Sequence, residues 1–208
     1  MKHIKKIGFI ALFLTIALAI SACSSSEKEE ESREAALFDD SSCWTIRIDD
    51  VDYTFPMKYD EFVSRGWEVY NLSTKDTLNP KQTNSTFEAR YSKTNTRFDL
   101  VFGNFDTTEL DYTEGYVVGI GLNFTVSEKT NDAFPEIILP KGIVFNERPS
   151  VEDIEAAYGT ANDQSSNQLK YWYGSNVLTQ EWDLYYFEAE GLNGFDLVNY
   201  ANPEESNS

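Results

Sequence analysis

The chain has 208 residues, with 35 acidic side chains against 17 basic ones and a net charge of −18. Such an excess of negative charge repels nucleic acid and anionic lipid head groups, so we expect no nucleic-acid partner. The only histidine is His3 and the only cysteines are Cys23 and Cys43. This composition disfavours Ser-His-Asp and Cys-His catalysis and histidine-liganded metals, so we predict a protein that is not an enzyme and needs no cofactor.

The first residues have the three parts of an export signal. A basic patch with Lys2, Lys5 and Lys6 precedes an apolar run over 7–20, and small residues lead to Cys23. The apolar run is shorter than the ~20 residues that a transmembrane helix needs. We therefore predict a cleaved signal peptide over 1–22 rather than a permanent membrane span.

The sequence Ile20-Ser21-Ala22-Cys23 resembles the lipobox of bacterial lipoproteins. This resemblance implies that the Cys23 thiol receives a diacylglyceryl group and that a peptidase cuts just before it. Two acyl chains would hold the protein on the extracytoplasmic face of the cell membrane, where one chain anchors only marginally. Cleavage would remove three lysines and His3, leaving 14 basic residues against 35 acidic ones, a net charge of −21.

Composition divides the rest of the chain. Residues 23–42 are polar and acidic, which predicts a lipidated cysteine followed by a disordered tether. Residues 43–201 carry the apolar pattern of a folded region, and 202–208 are predicted to be a disordered tail. With Cys23 acylated, Cys43 has no intramolecular partner, so we interpret it as a small packing residue and expect the fold to rest on its core.

Alternation of apolar and polar residues predicts strands in both halves of the folded region. The first half, 43–130, combines a strand–turn–strand unit, a short helix over 59–64 and three longer strands, the last over 116–126. The second half, 131–201, repeats this order with a helix that begins after Ser150. We predict an α+β fold of antiparallel sheet with short helices on one face, with a tandem helix-plus-three-strand repeat as one form of it.

The segment Ser150-Val151-Glu152-Asp153-Ile154 through Ala157-Tyr158-Gly159 is similar to a short motif of two envelope-related groups. These are small lipoproteins of the BamE/SmpA type and the tandem β-lactamase-inhibitor-protein fold. Pro149 and Thr160 stand where those families have Gly and Pro. The resemblance implies a binding role in the envelope. Uncharacterised Firmicutes lipoproteins are an equally good match.

Carboxylates form two clusters along the sequence. Asp49, Asp50 and Asp52 share one predicted turn. The loop cluster consists of Asp106, Glu109, Asp111 and Glu114. Calcium takes six to eight oxygen ligands, so the loop cluster is a candidate metal site, whereas acidic turns are also common for their turn chemistry alone.

Aromatic side chains are dense near the end of the sequence. Alternation places Tyr171, Tyr173 and Trp182 inward and Trp172 and Tyr185 on the opposite face. Exposed Trp and Tyr are typical anchors for protein partners and sugar rings, although a second layer could also cover them. We predict a binding module with an unknown protein or glycan partner. The alternatives are an accessory lipoprotein in envelope assembly and a calcium-dependent carbohydrate-binding protein.

Overall fold

A computed structural model of the chain describes residues 35–70, 72, 77–123, 134–173, 180–187 and 190–204. The signal segment and Cys23 lie outside these residues. The strands of the first half are β1 (Thr45–Ile48), β2 (Val51–Thr54), β3 (Met57–Lys58), β4 (Trp67–Tyr70), β5 (Thr77–Leu78), β6 (Thr83–Tyr91), β7 (Thr96–Gly103), β8 (Leu110–Asp111) and β9 (Tyr116–Asn123). Those of the second half are β10 (Ile137–Leu139), β11 (Ile143–Val144), β12 (Asp163–Gln164), β13 (Gln168–Trp172), β14 (Gln180–Phe187) and β15 (Gly191–Asn199). Among the described residues, the α-helices are α1 (Tyr59–Ser64) and α2 (Val151–Tyr158). Short 3₁₀ helices cover Ala36–Phe38, Ser41–Trp44, Tyr112–Glu114, Pro140–Gly142 and Phe145–Glu147.

Antiparallel sheet dominates the described chain. The large sheet has the strand order β12-β13-β14-β15-β9-β7-β6-β4, and β3 pairs with one end of β9. A smaller sheet has the order β11-β10-β1-β2, and β5 pairs with β8. The sequence prediction of antiparallel sheet with short helices is confirmed at this level.

The small sheet begins with a tight hairpin between β1 and β2. Asp49 and Asp50 have φ angles of 47° and 66°. Two successive left-handed residues are typical of a two-residue hairpin turn, which matches the twist of its strands. The turn is tied to the second half, because the Glu136 N–H donates to Asp49 Oδ1 at 3.0 Å. The acidic turn therefore has a structural role.

Both helices begin and end as the sequence predicted. The α2 N-cap is Ser150, whose N–H donates to Asp153 Oδ2 at 3.1 Å while the Asp153 N–H donates to Ser150 Oγ at 3.2 Å. Ile154 and Tyr158 are fully buried. Such a reciprocal cap satisfies two backbone donors that the helix itself leaves free. Within the described residues, no helix is long and apolar enough to cross a membrane.

One cluster of buried apolar residues draws on both larger sheets and on both α-helices. Trp182, Leu184 and Tyr186 of β14 are buried, as their alternation predicted. The Trp182 Nε1–H donates to the Cys43 carbonyl at 2.8 Å. This hydrogen bond links the large sheet to the N-terminal part of the folded region.

Three details differ from the sequence prediction. Residues 35–42, which composition placed in the tether, belong to the folded region, because Leu37 is 0% exposed and Phe38 is 8% exposed. A 3₁₀ turn over Ala36–Phe38 places both side chains in the core. Tyr173 lies past the end of β13 and is exposed rather than inward.

A bulge opposite Val101 and Phe102 shifts the start of β9, so that Val117 enters the core. The predicted continuation over 124–126 lies outside the described residues.

Candidate functional site

The face of the large sheet that points away from the core carries a row of charged residues across neighbouring strands. The row is created by strand register. In order along the sheet it contains Lys170, Asp183, Asp196, Gly121, Asp99 and Glu88. Gly121 leaves room for Asp196, because a Cβ at position 121 would lie 1.8 Å from Asp196 Oδ1. The row borders a cleft of about 310 Å³.

Much of the charge in this row has a partner within the protein. Lys170 Nζ lies 3.1 Å from Asp183 Oδ2, and the Tyr185 hydroxyl donates to Asp196 Oδ2 at 2.9 Å. Burial raises the pKa of Asp196 despite that hydrogen bond, and the negative charge of Asp183 adds to the increase. Burial likewise raises the pKa of Glu181, with Asp183 again adding to it. The ionised forms of Asp196 and of neighbouring Glu181 are therefore less favourable than those of exposed carboxylates.

Trp172 and Tyr185 lie on this same face, as their alternation predicted. Trp172 is opposite Glu181 in the β13–β14 pair, whereas Tyr185 is opposite Gln168. Both side chains are half-buried. Because the Tyr185 hydroxyl is engaged by Asp196, its position indicates a structural role as much as a binding one.

The structure does not gather the predicted calcium ligands. Glu109 accepts a hydrogen bond from the Thr77 hydroxyl, and Glu114 Oε2 accepts one from the Asp111 N–H at 3.2 Å. The Asp106 N–H donates to Asn104 Oδ1 at 2.8 Å, which ties the start of the loop to Asn104. Among the residues that the structure describes, no group of three or more His, Cys, Asp or Glu side chains is arranged to hold a metal ion.

A pocket of about 500 Å³ opens beside the start of the folded region. We call it the aromatic pocket. Its aromatic and apolar walls are formed by Phe38, Trp44, Phe55, Pro56, Tyr173, Ala201 and Pro203. Its polar walls are formed by Asp40, Ser41, Thr54, Gln180, Asn199 and Asn202, and Cys43 also lines it. A size between ~300 and ~1,000 Å³ and a largely apolar lining with a few polar groups are typical of small-molecule sites.

Three rings define the aromatic side of this pocket. Phe38 lies at the centre, with its ring centroid 5.4 Å from that of Trp44 and 5.7 Å from that of Tyr173. Phe38 is buried, Trp44 is half-buried and Tyr173 is 42% exposed. Phe38 thus supports two rings that remain accessible from solvent.

One set of polar groups fixes the shape of the aromatic pocket. The Asn199 side-chain amide donates to the Phe55 carbonyl at 2.7 Å, and its oxygen accepts from Gln180 Nε2 at 3.0 Å. Asn199 is buried, so these bonds satisfy a side chain that would otherwise be costly to bury. Asp40 Oδ1 accepts from the Ser42 N–H at 2.7 Å, and Lys141 Nζ lies 3.2 Å from Asp40 Oδ2. Hydrogen bonds from Ser42, then Lys141, hold the pKa of Asp40 below its usual value of 3.8.

A second set of polar groups at the rim is not used by the fold. Within the described residues, no hydrogen bond engages Ser41 Oγ, Trp44 Nε1, Tyr173 Oη or the side-chain carbonyl of Gln180. Each of these atoms belongs to an exposed or half-buried residue. The aromatic pocket therefore combines two accessible rings with hydrogen-bonding groups that a ligand can use.

Cys43 lies at this pocket but does not supply chemistry. Its side chain is buried, and burial raises the pKa of the thiol to about 12. Because the thiolate is the nucleophilic form, this thiol is unreactive near neutral pH. Its position supports the interpretation of Cys43 as a packing residue.

The residues of the aromatic pocket come from distant parts of the sequence. Alternation placed Tyr173 inward, and composition placed Phe38 in the tether, so neither was a predicted site residue. The one signal for Phe38 is an apolar pair, Leu37-Phe38, within an otherwise acidic stretch.

Comparison with protein-family models, curated proteins and solved structures finds no match. The envelope resemblances noted in the sequence therefore stay predictions.

Proposed function

We propose that the chain is an exported, lipid-anchored binding protein that engages its ligand through the aromatic pocket. The observation that carries this proposal is the pair of accessible rings, Trp44 and Tyr173, supported by buried Phe38 at a concave site. Accessible aromatic side chains in a concave, preformed site are typical binding anchors. We do not extend the proposal to calcium, because the described residues include no group arranged to hold a metal ion.

The lipid anchor at Cys23 is the second part of the proposal, supported by the lipobox-like sequence. The chain expressed in its own cells should enter the detergent phase in detergent phase partitioning. The Cys23→Ala variant should remain in the aqueous phase. Detergent-phase recovery of Cys23→Ala would contradict anchoring through this residue.

We also infer that the folded region contains a tandem repeat with halves 43–130 and 131–201. The topology supports this inference. In the first half α1 precedes the meander β4-β6-β7-β9, and in the second half α2 precedes β12-β13-β14-β15. The two meanders join through β9 and β15, and the small sheet joins through β1 and β10.

Sedimentation with the native cell envelope tests the binding role. The chain with Cys23→Ser, which carries no lipid, is mixed with the envelope fraction and centrifuged. We expect it to sediment with the envelope, and we expect Tyr173→Ala to lower the bound fraction strongly. Phe187→Ala is the matched control, because Phe187 is also exposed, at 50%, but does not line the pocket. Equal sedimentation of all three variants would contradict binding at the aromatic pocket.

A further inference from the structure

We propose that the ligand of the aromatic pocket is a neutral saccharide, with a sugar ring stacked on Tyr173 and its hydroxyls bonded at the pocket rim. This inference rests on the proposed binding function and names the class of ligand. It is argued from the exposure of the rings, the free polar groups and the charge of the pocket.

The accessible rings suit the C–H face of a sugar. The face of an aromatic ring is negative and attracts the weakly positive C–H groups that line one face of a pyranose. The Tyr173 and Phe38 rings meet at an interplanar angle of 69°, and Tyr173 is 42% exposed. The Trp44 ring also contacts Phe38, and Trp44 is half-buried. An open site of this kind does not enclose a hydrocarbon chain, which gains most from full burial.

The free polar groups suit sugar hydroxyls. Tyr173 Oη and Ser41 Oγ can donate and accept, Trp44 Nε1 can donate, and the Gln180 carbonyl can accept. A hydroxyl also donates and accepts, so each of these groups can pair with one. The buried Asn199 network and the Asp40–Lys141 pair hold the walls in place without ligand. The walls that these residues form are therefore in place before binding, which reduces the loss of freedom on association.

The charge of the pocket selects against anionic sugars. Hydrogen bonds from Ser42 keep the pKa of Asp40 low, so Asp40 is ionised at neutral pH. Its one cationic neighbour in the described structure, Lys141, is already paired with it. The chain as a whole carries a net charge of −18. A uronic acid would add an anion to a chain of net negative charge, at a pocket where Lys141 is already paired with Asp40.

Ligand-observed NMR and fluorescence titration test the class of ligand. The full chain with Cys23→Ser is titrated with neutral trisaccharides of β-1,4-linked glucose, α-1,4-linked glucose and β-1,4-linked N-acetylglucosamine, and with trigalacturonate. We expect at least one neutral trisaccharide to bind, and trigalacturonate not to bind. Tyr173→Ala should weaken that binding about tenfold or more, as for an aromatic anchor. Tyr173→Phe keeps the stacking ring, so its affinity should fall only a few-fold. Phe187→Ala should bind the saccharide as tightly as the chain with Cys23→Ser alone.

Three results would overturn the saccharide inference. The first is that no neutral trisaccharide binds, and the second is that trigalacturonate binds as tightly as a neutral one. The third is that Tyr173→Ala leaves the binding of a neutral trisaccharide unchanged. If envelope sedimentation still depends on Tyr173 in such a case, the binding role stands and the ligand is of another class, such as a peptide. If sedimentation does not depend on Tyr173, the binding role itself fails.

Discussion

Trp182 joins the large sheet to the N-terminal part of the fold, and its truncation tests that connection. The side chain is 0% exposed, and its indole N–H donates to the Cys43 carbonyl at 2.8 Å. Trp182→Ala removes a fully buried ring, which costs about 3–5 kcal/mol in protein cores. The Cys43 carbonyl also loses its donor, and an unsatisfied buried group costs roughly 1–3 kcal/mol. Because these terms overlap, we expect a loss in the free energy of unfolding of roughly 3–5 kcal/mol rather than their sum.

Two further variants separate packing from hydrogen bonding. Trp182→Phe keeps much of the ring but cannot donate to Cys43, so we expect a smaller loss of roughly 1–3 kcal/mol. Trp172→Phe is the control, because Trp172 is half-buried on the outer face of the same sheet, where we expect a loss within about 1 kcal/mol. Urea unfolding followed by circular dichroism measures all three. A Trp182→Ala variant as stable as Trp172→Phe would refute the assigned strand register.

Three further predictions follow from the burial of particular groups. Leu37→Ala should lower the free energy of unfolding by about 2–5 kcal/mol, since Leu37 is fully buried. An unchanged free energy of unfolding would indicate that 35–42 are part of a disordered tether. In the Cys23→Ser chain, the Cys43 thiol should react with a disulfide reagent at pH 8 only after unfolding, because burial raises its pKa to about 12; rapid labelling of the folded chain would contradict this. Burial raises the pKa values of Asp196 and Glu181, so the stability that these groups contribute is present at low pH and is lost as pH rises through their folded-state values. The melting temperature should therefore rise as pH falls from 7 toward the ordinary pKa values of these two groups, 3.8 and 4.5. The rise should be smaller in the Asp196→Asn variant. An equal rise in the variant and in the unaltered chain would count against burial of Asp196 as the cause.

Local pattern was enough to predict much of the fold. Alternation gave the inward residues of β14, and the spacing of Ser150 and Asp153 gave the start of α2. These features depend on neighbours within one turn or one strand. Alternation failed for Tyr173, because the strand ends one residue earlier and the pattern contains no signal for that end.

The candidate site depends on contacts between distant residues, and no local pattern contains them. Phe38, Pro56 and Tyr173 meet at the aromatic pocket although more than a hundred residues separate the first from the last. The row of charged residues on the face of the large sheet away from the core also depends on distant residues. Asp183 and Asp196 become neighbours only through the register of β14 and β15. Sequence alternation predicted that Tyr185 faces away from the core, but not that its hydroxyl meets Asp196.

Hydroxyl-radical footprinting in the intact cell envelope tests the central claim, that the aromatic pocket is the ligand-binding site, most directly. Oxidation of each aromatic residue is measured by mass spectrometry in envelopes and in the purified chain. We predict that Tyr173 and Trp44 are protected in the envelope relative to the purified chain, whereas Phe187 and Trp172 are oxidised equally in both. Protection of Trp172 with no protection of Tyr173 would instead place binding on the outer face of the sheet and contradict the account.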